Sequence, residues 1–290
     1  MKHARKKRNG MKRCMPLLPV FLVAVVALIL GASVPELWAH GNKKKIELDE
    51  AEVFIEYNST DGDFGIQFFW DGEPWKWMMV KNERRRPVLS VWANKNVKAQ
   101  GLTEGFFESA EPTLDELSFE EFLDRFPEGE YTFRGRTLER KWLVGEAELT
   151  HYIPCPPLVG SIGAPGTLKV AWRPVTTVVD PDQDIPDPEE EGPPECISAD
   201  DFEIVAYEVV FEMEALVGEG EDEEERVFVD TATLPADATM LSASPEFVIA
   251  AADFRAAGKL LVLKLEVIAI EASGNRTITE ATLWEAEEEE

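Results

Sequence analysis

The sequence predicts an all-β protein of two β-sandwich-like domains, with one short helix in the first. Three observations predict it. Apolar residues recur at every second position in run after run, as in Phe64, Ile66, Phe68 and Trp70, which is the period of a half-buried strand. Turn residues punctuate these runs, with Asp61-Gly62 and Asp71-Gly72 the clearest. A stiff Pro154-Cys155-Pro156-Pro157 segment divides the chain into halves of ordinary domain size.

The first segment is not part of either domain. Residues 1–13 carry seven basic side chains, an apolar run follows from Met15 to Leu30, and Leu37-Trp38-Ala39 ends on a small residue. A basic stretch, an apolar stretch and a small residue before a cut make a secretory signal. Residues 1–39 therefore read as a signal peptide, and the protein as exported to the periplasm or the exterior. The apolar run is short for a span of roughly 20 residues. An uncleaved N-terminal anchor is the alternative, and it is the one membrane association the sequence offers. Cys14 follows Met11-Lys12-Arg13 rather than the small and apolar residues of a lipoprotein signal, which excludes lipidation.

With 29 basic and 56 acidic residues the net charge is −27, and removal of residues 1–39 leaves −33. Such a surface repels nucleic acid and anionic membranes. It keeps a protein soluble in salt, or it gathers cations. Two cysteines survive processing, Cys155 and Cys196, either as a disulfide or as free thiols.

The first domain spans residues 46–153. Val53, Ile55 and Tyr57 face one way. Beyond the acidic loop come Phe64–Trp70, a turn at Asp71-Gly72, then Trp75, Trp77 and Met79 in alternation, and further strands at Val88–Ala93 and Leu102–Glu108. Ser118 with Glu121 three residues on is a capping box, and Phe119, Phe122, Leu123 and Phe126 follow at helical spacing until Pro127 and Gly129. Tyr131–Arg136 and Trp142–Ile153 are the last two strands. This half resembles a group of uncharacterised exported bacterial proteins that share a TDGDxG loop, here Thr60–Gly65, and an FFESAEP-like segment, here Phe106–Pro112. That resemblance implies architecture and export, and no activity.

The second domain spans residues 160–285. Its strands are Leu168–Trp172, Ile204–Met213, Val227–Asp230, Glu246–Ala250, Leu260–Ile270 and Thr277–Leu283, with a helical turn at Ala252–Ala257. The acidic, proline-rich stretch 180–195 has little to bury and reads as a mobile loop, Gly218–Glu225 as a charged hairpin connection, and residues 286–290 as an acidic tail. Leu168-x-Val170-x-Trp172, Tyr207-x-Val209-x-Phe211 and Leu265-x-Val267-x-Ala269 with Gly274-Asn275 resemble the second, third and sixth strands of a fibronectin type III module. The family's corner tyrosine is replaced by Leu263. The resemblance implies that Cys155 and the loop holding Cys196 lie at the same end of the sandwich, and hence a Cys155–Cys196 disulfide.

The chemistry concentrates in Glu56–Ile66, EYNSTDGDFGI. Calcium takes six to eight oxygens, and Asn58, Asp61, Asp63 and Glu56 offer them. The helical calcium-hand template fails, because its sixth position is Ile66 and its twelfth Gly72 when Asp61 is the first. A hairpin turn alone explains Asp61-Gly62. Asn58-Ser59-Thr60 is also a glycosylation sequon in a eukaryotic secretory path. Cleavage after Ala39 would leave His40 as an N-terminal copper chelator. His151, the only other histidine of the mature chain, reads as a partly buried, hydrogen-bonded residue. No G-x-S-x-G nucleophile motif is present. Trp70, Trp75, Trp77 and Trp92 make either a core or an exposed platform for sugars.

The expectation is an exported, non-enzymatic binding or structural protein of the cell envelope or exterior, with a protein or glycan ligand and no nucleic acid. Calcium binding through Glu56–Asp63 and carbohydrate binding or processing are the alternatives. Calcium is the one cofactor the residues point to.

Overall fold

The computed structural model describes residues 45–112, 116–164, 167–183, 185, 192–220 and 223–286, the side chains of 161–164 excepted. The signal segment, His40 and the end of the acidic tail lie outside these residues.

The fold grows from one hairpin. β1 (Lys45–Glu47) precedes it, and β2 (Glu50–Asn58) and β3 (Asp63–Lys81) form it. Val53, Ile55 and Tyr57 share a buried face with Phe64, Ile66 and Phe68, as their alternation predicts. Asn58 Oδ1 accepts from the N–H groups of Thr60 and Asp61 at 3.1 and 3.3 Å, and Gly62 takes φ +71°. The Asp61-Gly62 turn is therefore present, with Asn58 closing it.

β3 does not turn at Asp71-Gly72, where the sequence predicts it to. Gly72 N–H donates to Asp71 Oδ1 at 2.8 Å, and the strand runs on through a register shift between Asp71 and Trp75. Before the shift β3 pairs with β2 and largely with β5 (Leu102–Glu108). Beyond it β3 pairs with β4 (Pro87–Trp92) and β6 (Gly129–Thr137). A second shift between Trp75 and Trp77 breaks the expected alternation. It leaves Trp75 buried in the core with Trp70 and turns Trp77 to the opposite face. β7 (Trp142–Leu149) follows β6, and β1 joins its far edge in parallel.

Two helices lie in this half rather than one. α2 (Phe119–Arg125) is the predicted capped helix: Ser118 Oγ accepts from Glu121 N–H at 3.3 Å, and Phe119, Phe122 and Leu123 are buried. α1 (Lys95–Gln100) buries nothing, so no apolar period announces it. His151 Nε2 lies 2.8 Å from the Phe126 carbonyl, the hydrogen-bonded histidine the sequence implies.

In the second half β8 (Val159–Ala164), β9 (Thr167–Trp172) and β14 (Met240–Ser242) form a three-stranded sheet in the order β14-β9-β8. β12 (Ile204–Val217), β13 (Glu224–Pro235), β15 (Leu260–Glu271) and β16 (Arg276–Glu285) run antiparallel in the order β16-β15-β12-β13. Val170 and Trp172 from the first set share a core with Tyr207, Val209, Phe211 and Val267 from the second. Glu246–Ala250 is helical, correcting the strand expected there, and belongs to α3 (Pro245–Ala256). Ser244 Oγ caps it by accepting from Phe247 N–H, and Pro245 pre-sets the first helical φ.

The described ends of the acidic insertion are tied down. β10 (Val178–Val179) pairs with β11 (Cys196–Ile197), and Gln183 and Glu195 exchange hydrogen bonds of 2.7 and 2.8 Å. The middle of the expected mobile loop lies outside the described residues. Cys155 and Cys196 form a disulfide with Cα atoms 6.2 Å apart.

The halves meet in one continuous sheet. β16 pairs with β2 in parallel, placing Arg276, Thr277 and Ile278 opposite Glu56, Tyr57 and Asn58. The long sheet then runs β1-β7-β6-β3-β2-β16-β15-β12-β13. The described residues form one compact unit holding two cores, both on the Tyr57–Thr277 side of this sheet. The protein is all-β, with three short helices among the described residues.

Candidate cation site

The sheet face opposite the cores carries Glu56, next to Arg276 in register. Gly65 faces Glu56 across the hairpin, and Gln67 lies two residues on. β5 brings Glu108 opposite Gln67, and its chain continues over β3 as Ser109-Ala110-Glu111. Ser109 clamps that segment: its N–H donates to the Ile66 carbonyl at 3.0 Å, and its Oγ accepts from Ile66 N–H at 3.1 Å. Glu111 is thereby laid over Gly65. A Cβ at position 65 would stand 3.0 Å from Glu111 Oε1, so the glycine makes room for the carboxylate.

Glu56, Glu108 and Glu111 each bring a carboxylate oxygen within 4.8 Å of the others. Glu56 forms the inner wall at 8 % exposure, while Glu108 and Glu111 lie on the solvent side, the Glu111 carboxyl partly desolvated against Gly65. Gln67, at 3 % exposure, donates from Nε2 to Glu108 Oε1 at 3.2 Å. The guanidinium of Arg276, 7 % exposed, lies 3.9 Å from the Phe54 ring centroid.

The electrostatics follow from burial and like charge. Burial pushes the Glu56 carboxyl up to about 7, against the pull of Arg276 and with a further push from Glu108. Burial and the charges of Asp63, Glu108 and Glu56 take Glu111 up to about 7. Burial, Asp61 and Glu108 take Asp63 up to about 6. Arg276 does not offset all four acids, and burial depresses its own pKa. Glu56, Glu111 and Asp63 therefore keep their protons to a higher pH than ordinary carboxyls do.

The residues named from sequence are distributed differently. Glu56 is in the converging group. Asn58 and Asp61 bond to one another, Asn58 Nδ2 donating to Asp61 Oδ2 at 2.7 Å, and close the turn. Asp63 is at the start of β3 opposite Asn58 and adds its charge to the group. Sequence reasoning did not place Glu108 and Glu111 in this group. The signal was present, because the TDGDxG and FFESAEP-like segments that carry the resemblance to exported proteins are the two that meet here.

A second acidic group lies further along the same face. Lys264 Nζ is 3.4 Å from Glu212 Oε1 and 3.1 Å from Glu280 Oε2. Burial, with Glu280 and Glu212 beside it, pushes Glu266 up to about 8. Lys264 pairs with two of the three carboxylates of this group.

A cavity of about 990 Å³ opens elsewhere, lined by both signs of charge, including Lys81, Arg85, Arg134, Glu83, Glu130 and Glu146. None of the three converging glutamates lines it.

No protein-family model matches the chain, and no curated protein matches it. Among solved structures it is similar to a tetra-tandem repeat in the extending region of a large adhesion protein, with TM-score 0.23 and 12 % identity over 80 % of this chain and 48 % of that one. It is similar to the BSP domain of a biofilm-associated protein, with TM-score 0.22 and 12 % identity over 82 % of this chain and 30 % of the other. A protein of unknown function from Porphyromonas gingivalis W83 overlaps with TM-score 0.17 and 9 % identity, over 81 % of this chain and 98 % of its own. The chain thus spans under half of the first two, and scores of this size do not establish a shared fold.

Proposed function

We propose that this is an exported, non-enzymatic binding or structural protein that holds a calcium ion between the β2–β3 hairpin and the segment after β5. The observation behind the reading is the convergence of Glu56, Glu108 and Glu111 within 4.8 Å. Calcium prefers carboxylate oxygens in flexible arrangements and would displace protons from Glu56 and Glu111. Its role here is structural: it would lock Glu108–Glu111 onto β3. Export is supported by the signal-like leader, the acidic composition and the Cys155–Cys196 disulfide. A fibronectin type III-like arrangement of residues 160–285 is supported by a three-stranded set, β14-β9-β8, sharing a core with a four-stranded set, β16-β15-β12-β13.

Thermal unfolding with calcium and with chelator tests the reading. Calcium at about 100 times its dissociation constant adds about 2.7 kcal/mol. For a chain of this size that is a rise of about 5–11 °C. The variant carrying Glu108→Gln and Glu111→Gln loses the rise and melts no lower than the wild type in chelator. A wild-type melting point indifferent to calcium sinks the reading.

A further inference from the structure

The outer face of β4, β3, β6 and β7 carries one row of side chains in cross-strand register. Trp92 stands opposite Trp77, Trp77 opposite Arg136, Arg136 opposite Trp142, and Lys45 of β1 ends the row opposite Trp142. The rings of Trp92 and Trp77 stack with centroids 5.4 Å apart, and Trp142 meets Trp77 edge-on at 6.0 Å. The Arg136 guanidinium lies 3.8 Å from the Trp142 centroid, with Arg134 at 5.1 Å. Trp77 reaches this face only through the shift after Trp75.

This row does not serve the core, since none of its three tryptophans belongs to either buried cluster. Trp92 ends the stack at 61 % exposure. The charge is as unusual as the exposure. Residues 76–98 hold seven basic side chains and one acid, Glu83, and residues 134–141 hold four basic side chains and one acid, Glu139. Glu83 pairs with Arg84 and Glu139 with Lys141. The Arg136 guanidinium also donates to the Arg140 carbonyl, and Arg134 is the more exposed of the two. In a chain of net charge −27, these two stretches hold eleven basic side chains against two acids.

We propose that this face binds an acidic polysaccharide, a polyuronate. The apolar face of a sugar ring stacks on Trp92, and uronate carboxylates pair with Arg134 and Arg136, whose planar guanidinium suits a carboxylate. Strands lie about 4.8 Å apart, so the three steps from β4 to β7 span roughly 14 Å, room for a short run of rings in line. Aromatics beside arginines also fit single-stranded nucleic acid. This choice rests on the exported reading above, which places the protein outside the cell, where polysaccharide rather than nucleic acid is the polyanion it meets.

The test is electrophoresis of the exported protein through gels containing polygalacturonate, dextran or single-stranded DNA, with chelator throughout so that the calcium reading plays no part. Polygalacturonate retards the wild type and dextran does not. Trp92→Ala and Arg134→Gln, both exposed, each weaken binding about tenfold, or about 1.4 kcal/mol, with circular dichroism unchanged. Absence of retardation by polygalacturonate, equal retardation of both variants and wild type, or tighter binding to the DNA at equal ionic strength would each overturn the proposal.

Discussion

Replacing Asn275 by alanine should cut the joint between the two halves. Asn275 is fully buried in the turn between β15 and β16. Its Oδ1 accepts from Ile55 N–H at 2.8 Å, and its Nδ2 donates to the Thr150 carbonyl at 2.8 Å and the Tyr152 carbonyl at 3.3 Å. One side chain thus ties β2, the end of the first half and the β15–β16 turn together. Alanine leaves the buried Ile55 N–H and the Thr150 carbonyl without these partners. Each orphaned group costs about 1–3 kcal/mol. The loss is about 4 kcal/mol in the middle of that range, a fall of about 8–16 °C in melting temperature. Urea unfolding at fixed pH, followed by circular dichroism, measures it. Asn275→Asp is the sharper companion. It keeps the acceptor for Ile55 but turns an acid toward two carbonyls, so burial raises its folded pKa. Its penalty is then full above that raised pKa and fades as pH falls through it. An alanine variant within 0.5 kcal/mol of the wild type would refute the reasoning, because two buried backbone groups cannot both lose partners at that cost.

Stability of the whole chain should fall as pH rises from about 5 to 8. Glu56 and Glu111 at about 7, Asp63 at about 6 and Glu266 at about 8 all sit above their unfolded values. The folded state holds more protons across that window, so the favourable contribution is complete below about 4.5 for the glutamates and about 3.8 for Asp63, and lost above the folded pKa. Calcium should flatten the part due to Glu56 and Glu111 and leave that of Glu266; a slope of opposite sign would count against the buried acids. Reducing the Cys155–Cys196 bridge, which closes a separation of 41 residues, should cost about 4 kcal/mol in the chain-entropy account. Equal urea midpoints for the reduced and oxidised protein would show that the insertion is held by β10, β11 and Gln183 instead.

The local chemistry of this chain was legible wherever neighbours in sequence are neighbours in space. The period of Val53, Ile55 and Tyr57 determined a buried strand face. Asp61-Gly62 determined the hairpin turn, and Ser118 with Glu121 the start of α2. Those signals suffice for an all-β chain, because pleat, turn and cap are each set by a few consecutive residues. Glu246–Ala250 was misread because a short apolar run fits strand or helix alike, and the cap at Ser244 decided it.

Tertiary structure alone decided the rest. No local period says that β5 will lie beside β3, so nothing local could bring Glu108 and Glu111 to Glu56. The clamp of Ser109 on Ile66 does that. Alternation also assigns a side chain to a face only while the register holds. Two shifts in β3 kept Trp70 and Trp75 in the core and sent Trp77 to the surface beside Trp92. Sequence by itself determined which residues are acidic, aromatic or turn-forming. Which of them stand together was fixed by pairing between strands far apart in the chain, where a change of one residue in register exchanges the buried face for the exposed one.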